Sequence, residues 1–152
     1  MKRLSRLVAA GFGLGWVPLA PGTAASLAAA VMGAGMPRGQ VASLAAVAGI
    51  GGWLAVQRVP ERDADPGWIV VDELAGQWLA LLAAPRGSAL GAAAAFALFR
   101  LFDVSKLGPV RWAERRGGAA GVMLDDIVAG AIAAGVLTAA GRAALGWRGR
   151  RW

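Results

Sequence analysis

Ala119-Ala-Gly-Val-Met-Leu-Asp-Asp-Ile-Val-Ala-Gly-Ala-Ile-Ala-Ala-Gly-Val-Leu-Thr-Ala-Ala-Gly141 is apolar or small throughout except for Thr138 and two adjacent carboxylates, Asp125 and Asp126. A run of this length matches the ~20 helical residues that cross a ~30 Å hydrocarbon layer. Inside such a layer an ionisable side chain costs several kcal/mol unless it faces a polar cavity, so Asp125 and Asp126 mark a functional site by default. Two neighbouring carboxylates also repel each other and have no means of pairing together, which weakens a purely structural role.

Four further apolar blocks precede this one, at about 14 to 36, 40 to 57, 68 to 84 and 88 to 107. All five read as helices, because none alternates with period two as a barrel strand does. The expectation is an all-α, compact bundle of about four to five membrane-embedded helices forming a single domain over residues 1–152. The first block departs from a simple span. Gly11-Phe-Gly-Leu-Gly15, Pro18 and Pro21-Gly22 interrupt it, so a Gly/Pro-rich, re-entrant segment leading into a helix near Thr23 is expected. Its glycines do not form a dinucleotide fingerprint, since no strand precedes them and no acidic residue follows at the required distance.

Composition agrees with a membrane setting. Hydrophobic residues make up 57% of the 152 residues and charged residues 16%, with a mean hydropathy of +0.55. The net charge of +7 in so apolar a chain fits anionic lipid head groups better than nucleic acid. The basic start Met1-Lys-Arg-Leu-Ser-Arg6 has signal-peptide charge, but the interrupted stretch behind it is a poor apolar core, and the chain is read as uncleaved. With no Cys and no His, thiolate nucleophiles, disulfides, imidazole bases and Cys- or His-ligated zinc are excluded. The remaining chemistry runs on Asp, Glu, Lys, Arg, Ser and Thr.

Ionisable residues recur in the last three blocks: Asp72 and Glu73, then Arg100, Asp103 and Lys106, then Asp125 and Asp126. At 1.5 Å per residue, Asp72 lies ~6 Å inside its helix, Asp103 a similar distance from the end of the next, and Asp125 ~9 Å inside the last. An up-and-down arrangement brings all three groups to one depth. Converging carboxylates require cations between them, and hard oxygen donors select Mg²⁺ or Mn²⁺. Arg100, Asp103 and Lys106 fall on successive turns of one helix, offering carboxylate and cation together, which suits a phosphoryl substrate. An Arg100–Asp103 ion pair is the structural alternative. Thr23 is open to two readings, a helix N-cap or a phosphate contact, and Ser26 lies beside it. Asp63 and Asp65 follow Pro60-Glu-Arg62 and read as solvated loop charges.

At these residues the sequence resembles the phosphatidylglycerophosphatase A family. The resemblance is carried by Gly13-Leu-Gly-Trp-Val-Pro-Leu-Ala-Pro-Gly-Thr-Ala-Ala-Ser26, Ile69-Val-Val-Asp-Glu-Leu-Ala-Gly76, Phe99-Arg-Leu-Phe-Asp-Val-Ser-Lys106 and Gly117-Gly-Ala-Ala-Gly-Val-Met-Leu-Asp-Asp-Ile-Val-Ala-Gly130. It implies a Mg²⁺-dependent enzyme of phospholipid biosynthesis that converts phosphatidylglycerophosphate to phosphatidylglycerol and inorganic phosphate. By position it implies Glu73, Asp125 and Asp126 as metal ligands, Asp72 or Asp103 as the group orienting water, and Arg100 with Lys106 as phosphate clamps. Thr23 and Ser26 would touch the substrate phosphate. The partners would be that lipid and the surrounding membrane, with no nucleic acid. One departure is visible, since family members commonly carry Lys-Pro where this chain has Lys106-Leu-Gly-Pro109. A slight excess of Lys and Arg on the site side places the site at the cytoplasmic face of a bacterial-type inner membrane, in a multi-pass chain.

Two other functions use the same kind of residues. A lipid alcohol-phosphate transferase needs an Asp-Gly start that this chain lacks. An ion or proton transporter would place carboxylates near the midplane without cations beside them.

Overall fold

A computed structural model describes residues 2–64 and 66–148, and Asp65 of the polar loop lies outside them. Among the described residues all regular structure is helical. Helix α1 spans Lys2–Ala9, α2 Pro21–Gly33, α3 Arg38–Val56, α4 Val71–Leu81, α5 Ala89–Ser105, α6 Pro109–Glu114 and α7 Gly118–Arg148. Short 3₁₀ segments at Gly11–Trp16 and Pro60–Ala64 join α1 to α2 and α3 to α4.

Local chemistry sets these limits. Pro21 and Pro109 stand in the first turns of α2 and α6, where a missing N–H loses nothing. Ser88 caps α5 by accepting the Gly91 N–H at 2.9 Å. Helix α5 ends where Lys106 turns into the left-handed region at φ 48°, a conformation that a residue with a Cβ adopts only when its surroundings hold it there.

Helices α2, α4 and α7 run away from one end of the bundle, and α3 and α5 run back towards it. Gly22 meets Glu73 and Gly33 meets Leu81, so α2 and α4 are parallel. Arg38 donates to the Leu82 carbonyl at 3.2 Å while Gly52 packs on Val71 and Met123, so α3 is antiparallel to α4. Phe99, Met123, Val56, Val59, Val70 and Val110 form the fully buried centre.

The sequence reading holds for class and order and changes in the lengths. Among the described residues, two helices are long and apolar enough to cross a membrane, α3 over Arg38–Val56 and α7 over Gly118–Leu145. Helix α4 has 11 residues, about 17 Å at 1.5 Å each, well short of a ~30 Å hydrocarbon layer. It begins at Val71 instead of Trp68 because Val70 has φ −142°. Helix α7 reaches beyond Gly141 to Arg148, and the expected short loop from Gly108 to Gly118 holds α6. The basic start forms α1. The Gly/Pro-rich segment is a 3₁₀ turn whose Gly15 lies directly against the Trp68 carbonyl.

Large apolar side chains on the outer helix faces stay exposed, among them Leu27, Val31, Val47, Ile50 and Leu101. A water-soluble bundle would cover or replace such a surface, and hydrocarbon covers it without penalty.

Candidate active site

The site rests on one close helix crossing. A Cβ on Gly76 would lie 2.5 Å from the Asp126 carbonyl oxygen and 2.6 Å from Phe99, and a Cβ on Gly130 would fall onto the Gly76 carbonyl. Only hydrogen side chains at both positions allow α4 and α7 to approach this closely. Asp72 and Glu73 stand one turn before Gly76, and Asp126 one turn before Gly130, so the crossing delivers three carboxylates to one place. Asp72, Glu73 and Asp126 each offer an oxygen within 4.8 Å of the others.

The trio is deeply set. Asp126 is 3% and Asp72 7% exposed, and Glu73 Oε2 is buried with no hydrogen-bond partner among the described residues. Asp72 Oδ1 accepts the Glu73 N–H at 3.1 Å. Helix α2 closes the site from the side, since a Cβ on Gly22 would fall onto Glu73 Oε1 and lie 3.5 Å from Arg100 Nη1. The free N–H groups of the first α2 turn therefore lie beside Glu73 and Arg100, and they favour negative charge there.

A second acidic pair lies next to the trio and carries its own cations. Arg100 donates to Asp103 at 2.5 Å and Lys106 to the other Asp103 oxygen at 3.2 Å. Lys106 also donates to Asp125 on α7 and lies 4.0 Å from Glu114. The left-handed turn at Lys106 is what frees its side chain to reach from α5 to α7. The Arg100–Asp103 pair raised as an alternative is present, and it is one link of a longer chain of charges.

All the expected acidic residues thus converge at one end of the bundle. Their grouping differs from the expectation in one member. Asp72, Glu73 and Asp126 bring oxygens within 4.8 Å of one another, while Asp125 faces Lys106. Consecutive residues on a helix point about 100° apart, so Asp125 and Asp126 serve different neighbours. Thr23 lies half-buried in the first turn of α2. Ser26 is fully buried and donates its hydroxyl to the Gly22 carbonyl at 2.7 Å. Gln77 and Glu114 were not singled out from the sequence, and Gly22 was read only as an interruption of the first block. Gln77 is fully buried and both of its polar side-chain atoms lack a partner among the described residues; its signal was an amide four residues after Glu73 in an apolar block. Glu114 sat among loop charges, and Gly22 among many glycines.

An acidic centre with cations alongside can hold a divalent metal and a phosphoryl group together. Residues 7–141 match the family described as Phosphatidylglycerophosphatase A. The chain belongs to the phosphatidylglycerophosphatase A family. It is 42% identical over 137 residues to phosphatidylglycerophosphatase A of Escherichia coli, covering 86% of this chain and 80% of that protein. The Haemophilus influenzae protein of the same name is 35% identical over 138 residues, covering 81% of this chain and 80% of its own. A Bacteroides thetaiotaomicron protein named provisionally as a phosphatidylinositol-3-phosphatase is 38% identical over 146 residues, covering 86% of this chain and 91% of its own. No solved structure matches the chain. Every residue of the site lies inside the matched family region.

Proposed function

We propose that this chain hydrolyses the phosphate monoester of phosphatidylglycerophosphate to phosphatidylglycerol and inorganic phosphate, using Mg²⁺ or a similar hard cation. The observation that carries the proposal is the trio of buried Asp72 and Asp126 with half-buried Glu73, beside the cation-bearing Arg100, Asp103, Lys106 and Asp125. Family membership supports the substrate. The donor set fits such a metal: three carboxylates, no nitrogen or sulfur ligand, and one buried Glu73 oxygen without a partner among the described residues. The trio would hold the ion, which when bound supplies Lewis-acid polarisation of the phosphoryl oxygens.

The chain's own groups perform the remaining steps. Arg100 and Lys106 turn donors from their carboxylates towards the phosphate and balance charge growing on its equatorial oxygens. Thr23 and the first turn of α2 present hydroxyl and N–H donors to the same group. Ser26 acts indirectly, by fixing Gly22 through its hydrogen bond. Asp103 accepts a proton from the attacking water and aligns its oxygen with phosphorus. The new oxygen–phosphorus bond forms as the bond from phosphorus to the glycerol oxygen breaks; that oxygen leaves as the lipid alcohol with a proton from solvent water, and Asp103 returns its proton to solvent. Asp125 keeps Lys106 at the site.

The setting we propose is a single domain of four to five membrane-embedded helices in a bacterial inner membrane, with the site at the cytoplasmic face. The shorter helices would enter the lipid without crossing it alone. The Bacteroides relative's name favours one competing substrate, a phosphate on an inositol ring.

Phosphate release by the purified chain in detergent, from phosphatidylglycerophosphate and from phosphatidylinositol 3-phosphate, tests this reading. Turnover of the first lipid that stops in excess chelator and returns with Mg²⁺ is expected. Undiminished turnover in chelator would refute the metal, and release from the inositol lipid alone would move the substrate.

A further inference from the structure

Two exposed apolar corners flank the carboxylates, and they lie in helix connections where a water-facing loop would be polar. Ahead of α2, Trp16 is 61% and Leu19 84% exposed, and three residues later Gly22 closes on Glu73. After α5, Leu107 is 62% and Trp112 59% exposed, and Leu107 directly follows the Lys106 that binds Asp103 and Asp125. Cations accompany the second corner. Arg111, Arg115 and Arg116 are exposed on and just beyond α6, and the Arg116 guanidinium stacks 4.1 Å over the Trp112 ring. The neighbouring loop at the same end, Pro60–Ala64, presents Glu61, Arg62 and Asp63 instead.

We infer that Trp16 with Leu19 and Leu107 with Trp112 form a pair of interfacial wedges seated in the head-group layer of an anionic bilayer, so that a lipid phosphate reaches the site without its acyl chains leaving the membrane. Amphipathic indole rings and aliphatic side chains partition to the boundary between head groups and hydrocarbon, and arginines beside them attract anionic lipid. Water would leave these four side chains uncovered, and the lipid-facing sides of the long helices do not explain them, because Leu19 and Leu107 stand in the connections, Trp16 ends a 3₁₀ turn and Trp112 lies on the short α6. The depth they set is the depth of the carboxylates, given the few residues between each corner and the site. The role in substrate entry rests on the proposed lipid phosphatase reading; the seating itself does not.

The chain contains no Cys, so single cysteines introduced as Leu19→Cys, Leu107→Cys and Asp63→Cys take one nitroxide each. The full chain is reconstituted in vesicles of phosphatidylcholine and phosphatidylglycerol in equal parts. Collision with molecular oxygen, which concentrates in lipid, is compared with collision with a water-soluble nickel chelate. Oxygen should dominate at 19 and 107, and nickel at 63. Nickel dominance at 19 and 107 would overturn the inference. Spin–spin broadening at these positions that vanishes on dilution with unlabelled chain would also overturn it, since a second copy and not lipid would then cover the corners.

A second measurement reads the role in entry. The Leu19→Ser, Leu107→Ser double variant should lose ~10-fold in kcat/KM on long-chain lipid in vesicles, the scale of two partly buried leucines removed from an apolar boundary. On a short-chain, monomeric lipid phosphate it should stay within about twofold of the parent, because no bilayer has to deliver that substrate. Equal loss on both substrates would overturn the entry role. If the parent releases phosphate from neither, the proposed function fails while the depth result stands.

Discussion

The two halves of the acidic centre differ in how their charge is balanced. Asp103 and Asp125 have cations supplied by the chain, Arg100 and Lys106, and Lys106 ties α5 to α7. No such cation pairs with the trio of Asp72, Glu73 and Asp126 among the described residues, and Glu73 keeps a buried oxygen unpaired. The four aspartates are similarly buried and unequally compensated, so one half is complete as folded and the other fits the cation proposed above. A buried carboxylate without a partner is destabilising, so the trio persists because the Gly76–Gly130 crossing forces it together.

The largest effect should come from neutralising the incomplete half. Glu73→Gln or Asp126→Asn should lower phosphate release by ~10²-fold or more, as loss of a group that organises transition-state charge does. In excess chelator the same variants should melt no lower than the parent, since removing one of several repelling carboxylates relieves the folded state. Melting curves in chelator and phosphate release on one preparation check both. A melting point well below the parent's would mean that the trio is already compensated.

The completed half should respond in the opposite sense. Lys106→Ala leaves Asp103 and Asp125 facing each other without their shared cation, and a loss on the order of 3 kcal/mol is expected, with turnover falling as well. Adding Asp125→Asn should recover much of the stability and none of the turnover, because it removes the stranded charge without restoring a phosphate donor. Denaturant unfolding of the single and double variants separates the two roles. Recovery of both properties together would reduce Lys106 to a structural residue.

A smaller effect tests the crossing itself. Gly76→Ala forces α4 from α7, because the added methyl meets the Asp126 carbonyl and Phe99; it should cost about 1–3 kcal/mol. Gly49→Ala on α3 meets nothing within 4 Å and should be neutral or stabilising by up to ~1 kcal/mol. Thermal melting of the two variants under one condition checks the contrast.

Much of this was legible in the sequence for particular reasons. The long apolar run around Asp125 and Asp126 fixed the helical class, and carboxylates inside apolar blocks announced the site. Counting residues along each helix suggested that Asp72, Asp103 and Asp125 approach one another, and the carboxylates do meet at one end of the bundle, although α4 begins at Val71 and not at the Trp68 from which the count started. The grouping was not legible, because it depends on which way Asp125 and Asp126 point once α7 meets α4. That crossing rests on two glycines among 23, and nothing local separates Gly76 and Gly130 from the others. Helix α4 looked long enough to cross a membrane because Trp68, Ile69 and Val70 are apolar, although Val70 leaves the helical region at φ −142°. Lys106 hid its reach to α7 for a similar reason, since a left-handed C-cap at a lysine has no composition signal.

Mn²⁺ binding followed by electron paramagnetic resonance tests the division between the halves most directly, on the parent, Asp126→Asn and Asp125→Asn. The parent should bind the ion, Asp126→Asn should lose binding by ~10²-fold, as removal of one of three carboxylate ligands implies, and Asp125→Asn should keep it nearly unchanged. Equal loss in both variants, or no binding by the parent, would contradict a metal centre built from Asp72, Glu73 and Asp126.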